Sequence, residues 1–269
     1  MKKLNELVKQ GSLDLACEHC EKGLREDPLN GDLRAAYIEL LCIRGDLSQA
    51  DAQLDMMVRQ HPDFLLGAVN LRQLIRADQA RRDFYQGGMT ATLFQGADAM
   101  FEHTLKLNLA LKEADFTAAT QLAGELEQQR DKAPLELNGQ IVTDVRDLDD
   151  VLGGYVEVFG TDGKFYLAKF AEIASLSLHK PTSLIELVWR KAEIAIIDGP
   201  SGEAFLPLTY VGSSEESALL GRDTDWLAQG EMLATGLGQK MWLVGDNAMP
   251  LSELTSLERQ AAASLQSVS

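Results

Sequence analysis

The sequence has few of the residues that build disulfide scaffolds or metal centres. It contains three cysteines and four histidines in 269 residues. A disulfide framework normally uses an even and denser set of cysteines. Cys17 and Cys20 have the C-x-x-C spacing, but they fall inside a predicted helix, and Cys42 with scattered histidines does not complete a zinc site. We therefore expect buried or half-buried thiols that act as small apolar side chains, and no metal or other cofactor.

Long apolar runs and an excess of basic residues are also missing. No window approaches 18 consecutive apolar residues, so no membrane span is expected. Acidic residues outnumber basic ones by 41 to 25, and the net charge of -16 disfavours nucleic acid and anionic membranes as partners. The stretch MKKLNELVKQ lacks the apolar core of a signal peptide. It predicts a short amphipathic helix in a cytoplasmic protein.

The densest basic group lies in one predicted helix. It consists of Arg72, Arg76, Arg81 and Arg82, with Asp78 and Asp83 among them. Alternating charges of this kind are typical of a solvated helix face with local ion pairs. We therefore expect no anion site there.

Catalytic motifs are equally scarce. GPSG at 199–202 is followed by Glu203 where a nucleophile elbow needs glycine, and GLGQK at 236–240 lacks the P-loop pattern. His179 is the only histidine of the second half. The sequence therefore predicts a non-enzymatic protein with no catalytic residue. The alternative is a carboxylate-based hydrolase or transferase in the C-terminal half, with or without a divalent metal.

The first half contains a 34-residue repeat, which is typical of tetratricopeptide helix pairs. Gly11, Leu13, Ala16 and Pro28 recur at Gly45, Leu47, Ala50 and Pro62. Glycine ends one helix, alanine lets two helices approach closely, and proline ends the second helix. Residues 1–134 are thus predicted to form about three tetratricopeptide-like helical hairpins, one of them degenerate. Such repeats bind a peptide or helix, or serve as plain scaffolding.

Residues 135–269 predict a separate α+β domain with short antiparallel strands. Alternating runs around Thr161-Asp162-Gly163 indicate a hairpin, and further strands are expected at 192–197, at 203–208 and in GQKMWLVGD. A helix capped by Ser252 closes the chain. The aspartates of the stretch 144–150 fit a solvated inter-domain segment better than a calcium loop. The predicted fold class is therefore two-domain, α followed by α+β.

Four segments of the second half, in this order, resemble the ImpE family, also called TagJ. They are ELVWRKAEI, DGPSGEAFLPLTYVGS, LGRDTDW and GLGQKMWLVGD. The family-motif positions are Trp189, Arg190, Pro207, Tyr210, Gly212, Ser213, Gly221, Arg222, Thr224, Asp225, Trp226 and Gly238. Lys191 and Val211 stand where the family has proline.

The resemblance implies an accessory protein of a bacterial type VI secretion system without known catalysis. It implies an adaptor that binds the small subunit of the contractile sheath and is linked to the AAA+ ATPase that recycles the sheath. A helical segment of the subunit in a groove suits this role, and the acidic surface would favour basic flanks. A general peptide-binding scaffold unrelated to secretion is the other alternative, and homo-oligomerisation is left open.

The LGRDTDW segment predicts a structural corner, with a partner-contact surface as the alternative. Gly221 permits a positive φ, and Asp223 or Asp225 can bind backbone N–H groups or pair with Arg222. Trp226 would then anchor the corner in the core.

Overall fold

The computed structural model describes residues 2–132 and 134–260, and its first part is helical. The helices before the main sheet are α1 Lys2–Gln10, α2 Leu13–Glu26, α3 Gly31–Arg44, α4 Leu47–Gln60, α5 Leu65–Tyr85, α6 Ala99–Lys112 and α7 Phe116–Gln129. The predicted hairpins are confirmed as the pairs α1–α2, α3–α4 and α6–α7. The degenerate stretch between them forms one 21-residue helix, α5.

The repeat glycines and alanines act as predicted. Gly11 and Gly45 adopt left-handed φ angles of 83° and 88° at the ends of α1 and α3, where a side chain would be strained. Ala16 and Ala50 have no exposed surface, so neighbouring helices pack directly over them. Asn30 adds an N-cap to α3, since its side chain accepts a hydrogen bond of 3.0 Å from the Leu33 N–H.

The three cysteines lie in this helical core, as predicted. Cys17, Cys20 and Cys42 are buried and unpaired. Burial raises the pKa of Cys17 to about 12 and that of Cys20 to about 11, so both thiols stay protonated at neutral pH. They pack as small apolar side chains.

The second part consists of short strands. The strands are β1 Ala91–Leu93, β2 Leu135–Leu137, β3 Gln140–Val142, β4 Val145–Asp147, β5 Tyr155–Gly160, β6 Phe165–Lys169, β7 Ile173–Leu178, β8 Trp189–Ile196, β9 Ser201–Pro207, β10 Thr224–Gln229, β11 Leu233–Gly238, β12 Met241–Val244, β13 Asn247–Pro250 and β14 Ser256–Arg259. A short helix, α8 Glu216–Leu219, precedes β10, and 3-10 turns cover Pro62–Phe64, Phe170–Glu172, Ile185–Leu187 and Leu251–Glu253.

Nine strands form one sheet in the order β1-β6-β5-β9-β8-β7-β14-β2-β3. The β1–β6 pair is parallel and the other pairs are antiparallel. A three-stranded sheet β13-β12-β4 and a two-stranded ribbon β10-β11 complete the fold. The predicted hairpin around Thr161-Asp162-Gly163 is confirmed as β5–β6, and the other predicted strands are confirmed as β8, β9 and β12.

The predicted C-terminal helix is wrong. Ser252 lies in a 3-10 turn, and Ser256–Arg259 forms β14 between β7 and β2. Leu251, Leu254 and Leu257 recur every three residues, which suits a helix face, but all three are buried against the sheet. Tertiary packing has overridden the local pattern here. Residues 261 and 262 of the predicted helix lie outside the described residues.

Two apolar clusters cover the two faces of the sheet. The larger one joins the helices to sheet residues such as Phe159, Phe165 and Trp189. The smaller one packs the opposite face against the three-stranded sheet through Trp242. Successive residues of a strand point to opposite faces, so Val158 of β5 lies in the smaller cluster and Phe159 in the larger. The division at residues 134 and 135 falls between α7 and β2, and its status as a domain boundary stays a prediction.

We expect the helical part and the sheet to unfold together, because they share the larger cluster and because β1 pairs with β6. Differential scanning calorimetry of the whole chain should give one transition. Its calorimetric and van't Hoff enthalpies should agree. Two resolved transitions would contradict this prediction and favour independent units.

Candidate functional site

A buried ion pair joins α5 to strand β5 of the main sheet. Arg81, which is 3% exposed, donates to both carboxylate oxygens of Glu157 on β5, with both distances 2.7 Å. It also donates to the Thr209 carbonyl over 2.8 Å. The predicted solvated face is therefore wrong for Arg81 and for Asp78, which is also buried, whereas the half-buried Arg72 pairs with Asp51 and Asp55 of α4. A bidentate guanidinium–carboxylate pair has the geometry that makes burial of both charges tolerable.

Glu157 collects further partners on the same face. Lys240 Nζ lies 2.5 Å from Glu157 Oε2, and the Tyr85 hydroxyl donates to Oε1 over 2.9 Å. Burial alone would raise the pKa of Glu157, but Arg81 and Lys240 outweigh it and lower the pKa to about 2. The carboxylate is thus charged throughout the physiological range. This charge fixes α5, β5 and the segment before β12 to one another.

Two aspartates predicted to be solvated are instead buried. Asp147 and Asp149 are 1% and 6% exposed. Asp147 accepts the Tyr210 hydroxyl over 2.7 Å, and Asp149 accepts the N–H groups of Val151 and Gly236 over 2.8 and 2.7 Å. The prediction failed because Tyr210 and Gly236 lie 63 and 87 positions later in the chain, where the local sequence does not reveal them as partners.

The ribbon strand β11 is held by side chains along its outer edge. Asp149 and Asp150 accept from the N–H groups of Gly236 and Ala234 over 2.7 and 2.9 Å. Ser213 Oγ accepts from the Gly238 N–H over 2.7 Å. Side-chain oxygens therefore take the place of a neighbouring strand on this edge.

The first motif group is structural. Trp189 is 3% exposed and packs edge-to-face on Phe159, with ring centroids 5.6 Å apart. Pro207 lies opposite Trp189 at the end of the β8–β9 ladder. Arg190 donates its Nε proton to the Glu186 carbonyl over 2.7 Å. These residues anchor β8 and β9 and present no open site.

The second motif group builds a tight crossing beside the ribbon. The Tyr210 N–H donates to the Gly238 carbonyl over 2.8 Å. Gly238 has a φ of 77°, and an added Cβ would lie 1.9 Å from the Asp223 carbonyl oxygen, so a larger residue does not fit. Gly212, with a φ of 93°, turns the chain so that Ser213 Oγ can also donate to the Tyr210 carbonyl over 2.9 Å.

The LGRDTDW segment divides into a structural and an exposed part. Gly221 has the predicted positive φ of 64°. Arg222 does not pair with Asp223 or Asp225; it donates to the carbonyls of Val8 and Lys9 at the end of α1, the latter over 2.6 Å. Arg222 binds there because the last carbonyls of a helix attract a cation.

The remaining motif residues lead into β10. Thr224 Oγ1 donates to the Gln239 carbonyl over 2.9 Å, and Asp225 Oδ1 accepts from the Trp226 N–H over 2.8 Å. Trp226 is 39% exposed, so its predicted place in the core is wrong. It lies at a ribbon edge and contacts the Tyr210 ring at a centroid distance of 5.9 Å.

Two parts of the chain each carry several exposed large apolar side chains. The first, the β10 surface, comprises Phe116, Trp226, Leu227 and Met232. The second, the α4–α5 surface, comprises Met56, Phe64, Leu65, Leu66 and Val69. Exposed groups of large apolar residues mark interaction sites more often than single ones do.

The buried ionic cluster was missed by sequence reasoning. One signal was present, since Glu157 stands inside the apolar strand sequence YVEVF. A charge in such a strand requires a buried partner. Its partner lies 76 positions earlier in the chain, and no local pattern identifies it.

Neither a metal centre nor a membrane span is found within residues 2–132 and 134–260. No group of three or more His, Cys, Asp and Glu side chains is arranged there to hold a metal ion. No helix in those ranges is both long and apolar enough to cross a bilayer.

The fold and the motif geometry define a tetratricopeptide-like helical repeat protein joined to a mainly antiparallel sheet. Residues 7–73 match a tetratricopeptide repeat model, and residues 139–258 match the model of the ImpE protein. A crystal structure of a protein from Vibrio parahaemolyticus is similar, with a TM-score of 0.94 and 36% identity, covering 98% of this chain and 100% of that one. The type VI secretion system accessory component TagJ of Pseudomonas aeruginosa is 27% identical over 267 residues, which cover 94% of this chain and 89% of that protein. The chain belongs to the ImpE family.

We expect the substitution Glu157→Gln to lower the free energy of unfolding by about 3–5 kcal/mol, because Arg81 would lose its buried counter-charge. Urea unfolding followed by circular dichroism measures this. The matched control is Glu203→Gln, which breaks the half-exposed Lys191–Glu203 pair on β8 and β9 and should cost less than about 1 kcal/mol. Equal effects of the two substitutions would show that burial of the Arg81–Glu157 pair contributes nothing special.

The free energy of unfolding should also depend on pH through Asp149. Burial, with Asp147 adding to it, raises the pKa of Asp149 from 3.8 to about 7. The folded state holds this proton more tightly than the unfolded state does. Protonated Asp149 therefore stabilises the fold fully below about pH 4, and this stabilisation is lost as the pH rises towards 7. Between pH 5 and 7.5 the unmodified chain should lose on the order of 2 kcal/mol of unfolding free energy through Asp149. The Asp149→Asn variant should not show this loss. The same pH slope in both proteins would contradict the assignment.

Proposed function

We propose that this chain is an accessory component of a bacterial type VI secretion system. The observation that carries the proposal is its similarity along 94% of its length to an accessory component of such a system. Its helical repeats support a role in protein–protein contact, since stacked helix pairs offer extended surfaces to peptides and helices.

We propose further that the partner is the small subunit of the contractile sheath. The contact would place the apolar face of an amphipathic segment of that subunit on the α4–α5 surface. Leu65, Leu66 and Val69 support this choice, because they are 54%, 73% and 42% exposed on the first turns of α5. Phe64 adds an aromatic side chain directly before them, and aromatic residues are favoured anchors of interfaces.

Charge supports a partner segment with basic flanks. Asp51 and Asp55 of α4 already pair with Arg72, but Asp63 directly precedes Phe64 and the chain carries a net charge of -16. Opposite charges at the rim of an interface raise the association rate and the specificity more than the final affinity. Binding should therefore weaken as salt increases, because exposed charges are screened.

The role is proposed to be non-catalytic and cytoplasmic. The buried carboxylates of Asp147 and Glu157 support the non-catalytic role, since both are engaged by internal hydrogen bonds and a cation. A link to the AAA+ ATPase that recycles the sheath belongs to the same proposal.

We expect the double substitution Leu66→Asp with Val69→Asp to weaken binding of the isolated small sheath subunit at least about tenfold, through loss of apolar contact. Isothermal titration calorimetry at low salt measures this. The matched control is Met89→Asp, which adds a charge at a side chain that is 79% exposed outside both surfaces. It should change the affinity less than about twofold.

The other outcomes separate the partner from the place of contact. If Trp226→Ala abolishes binding and the double substitution does not, the β10 surface is the docking site and the placement on α4–α5 is refuted. If the unmodified chain does not bind the subunit at low salt, the proposed partner is refuted. Binding that is indifferent to salt would remove the charge argument alone.

A further inference from the structure

A cavity of about 460 Å³ lies between the C-terminal ends of α5 and α6 and the ribbon strand β11. Its wall includes Tyr85, Asn108, Asp149 and Tyr210, with apolar side chains such as Leu111 between them. This volume is in the range of sites for small ligands, which combine apolar walls with a few polar groups. No motif of the chain and no part of the proposed function accounts for it.

Asn108 is the first unexplained group of this cavity. The residue is 5% exposed, and its amide nitrogen is buried without a hydrogen-bond partner among the described residues. An unsatisfied buried amide costs free energy on folding. The side-chain amide can turn over, which puts its oxygen at this place, and the oxygen then needs a donor from a ligand in the cavity.

Asp149 is the second unexplained group. The described part of the chain buries five carboxylates, Asp78, Asp147, Asp149, Glu157 and Glu172. Four of them have a lysine or arginine nitrogen within 4 Å. Within residues 2–132 and 134–260, Asp149 has none and is held by backbone N–H groups only. A buried carboxylate without a cation is costly, and a cation bound in the cavity would relieve that cost.

We propose that this cavity binds one organic cation, a primary ammonium or guanidinium group on a short apolar chain. The charged group pairs with the Asp149 carboxylate. Asn108 accepts a second hydrogen bond, because a side-chain amide can turn over to present its oxygen. The apolar chain packs on Leu111, and the Tyr85 side chain lies on the same wall.

Two cationic side chains also line the cavity, and neither competes for Asp149. Arg81 is neutralised by its two hydrogen bonds to Glu157. Lys112 is exposed at the rim, where its Nζ donates to the Gln86 carbonyl over 2.8 Å and water screens its charge. An anionic ligand would be repelled by Asp149, and no unpaired cationic side chain among the lining residues lies deep in the cavity to offset this repulsion.

The same chemistry can come from two sources. One is a free small amine or guanidine, and this reading is independent of the proposed function. The other is a lysine or arginine side chain of the bound sheath subunit, and this reading rests on the proposed function.

The test is isothermal titration calorimetry of the whole chain with n-butylammonium chloride and n-butylguanidinium chloride, with n-pentanol as a neutral analogue of similar length. We expect one site for at least one cation and none for the alcohol. Asp149→Asn should abolish binding, and Asn108→Leu should weaken it about tenfold. The matched control Asn70→Leu changes an exposed asparagine of α5 outside the cavity and should leave the affinity unchanged. Binding of the alcohol as tightly as the cations, no binding of either cation, or binding that survives both cavity substitutions would overturn the proposal.

Asn108→Leu keeps the test decisive if Asp149→Asn does not fold, because it removes an unsatisfied polar group without changing a charge. A pH series supplies a second readout. Asp149 is faced by Asp147, Lys240, Tyr210, Arg81, Tyr85 and, at the rim, Lys112. Since the pKa of its carboxyl is about 7, affinity should rise about tenfold from pH 6 to pH 8. A flat profile would contradict pairing with Asp149.

A competition experiment identifies the source. If saturating n-butylammonium displaces the small sheath subunit, a basic side chain of the subunit occupies the cavity. If amine and subunit bind together, the ligand is a free small cation. If the subunit does not bind at all, the proposed function fails. The amine titration still decides whether the cavity binds an organic cation.

Discussion

The bidentate pair between Arg81 and Glu157 is the interaction on which the arrangement of the whole molecule depends. It joins the last turns of α5 to strand β5 of the main sheet, and Arg81 also binds the Thr209 carbonyl. Removing two charges from water is costly, and only good geometry with further hydrogen bonds offsets that cost. Lys240 and Tyr85 provide these additional contacts to Glu157. The pair therefore sets the angle and depth at which the helices lie on the sheet.

The remaining features of the chain follow from that fixed arrangement. The ion pair lies near the C-terminal end of α5, whereas the first turns of this helix expose Leu65, Leu66 and Val69. The same anchoring leaves a space beside α6 that neither the helices nor the ribbon fill. Family motifs lie mainly around this frame: Arg222 holds the end of α1, and Gly238 allows two chain segments to cross. The contacts of these motif residues are thus mainly internal to the fold.

The sequence predicted the elements whose pattern is local. The 34-residue repeat identified the helix pairs, and alternation around Thr161-Asp162-Gly163 identified the β5–β6 hairpin, because both depend on residues close in the chain. Contacts between distant segments were not predicted. Asp149 was assigned to solvent although it binds Gly236, which lies 87 positions later. Trp226 was assigned to the core because nothing local marks an edge strand. The spacing of Leu251, Leu254 and Leu257 favoured a helix, yet the end of that segment forms strand β14 of the main sheet.

Both edges of the β10–β11 ribbon are blocked against pairing with another strand, but in different ways. Carboxylates and a hydroxyl already occupy the outer donors of β11, so that edge cannot recruit a foreign strand. On the open side, Asp225 bonds the Trp226 N–H and places a negative charge where a neighbouring backbone would have to dock. A strand-shaped surface with an exposed tryptophan is in this way shielded from edge-to-edge self-association. The chain can thus expose an aromatic side chain on a strand without offering the backbone of that strand for pairing.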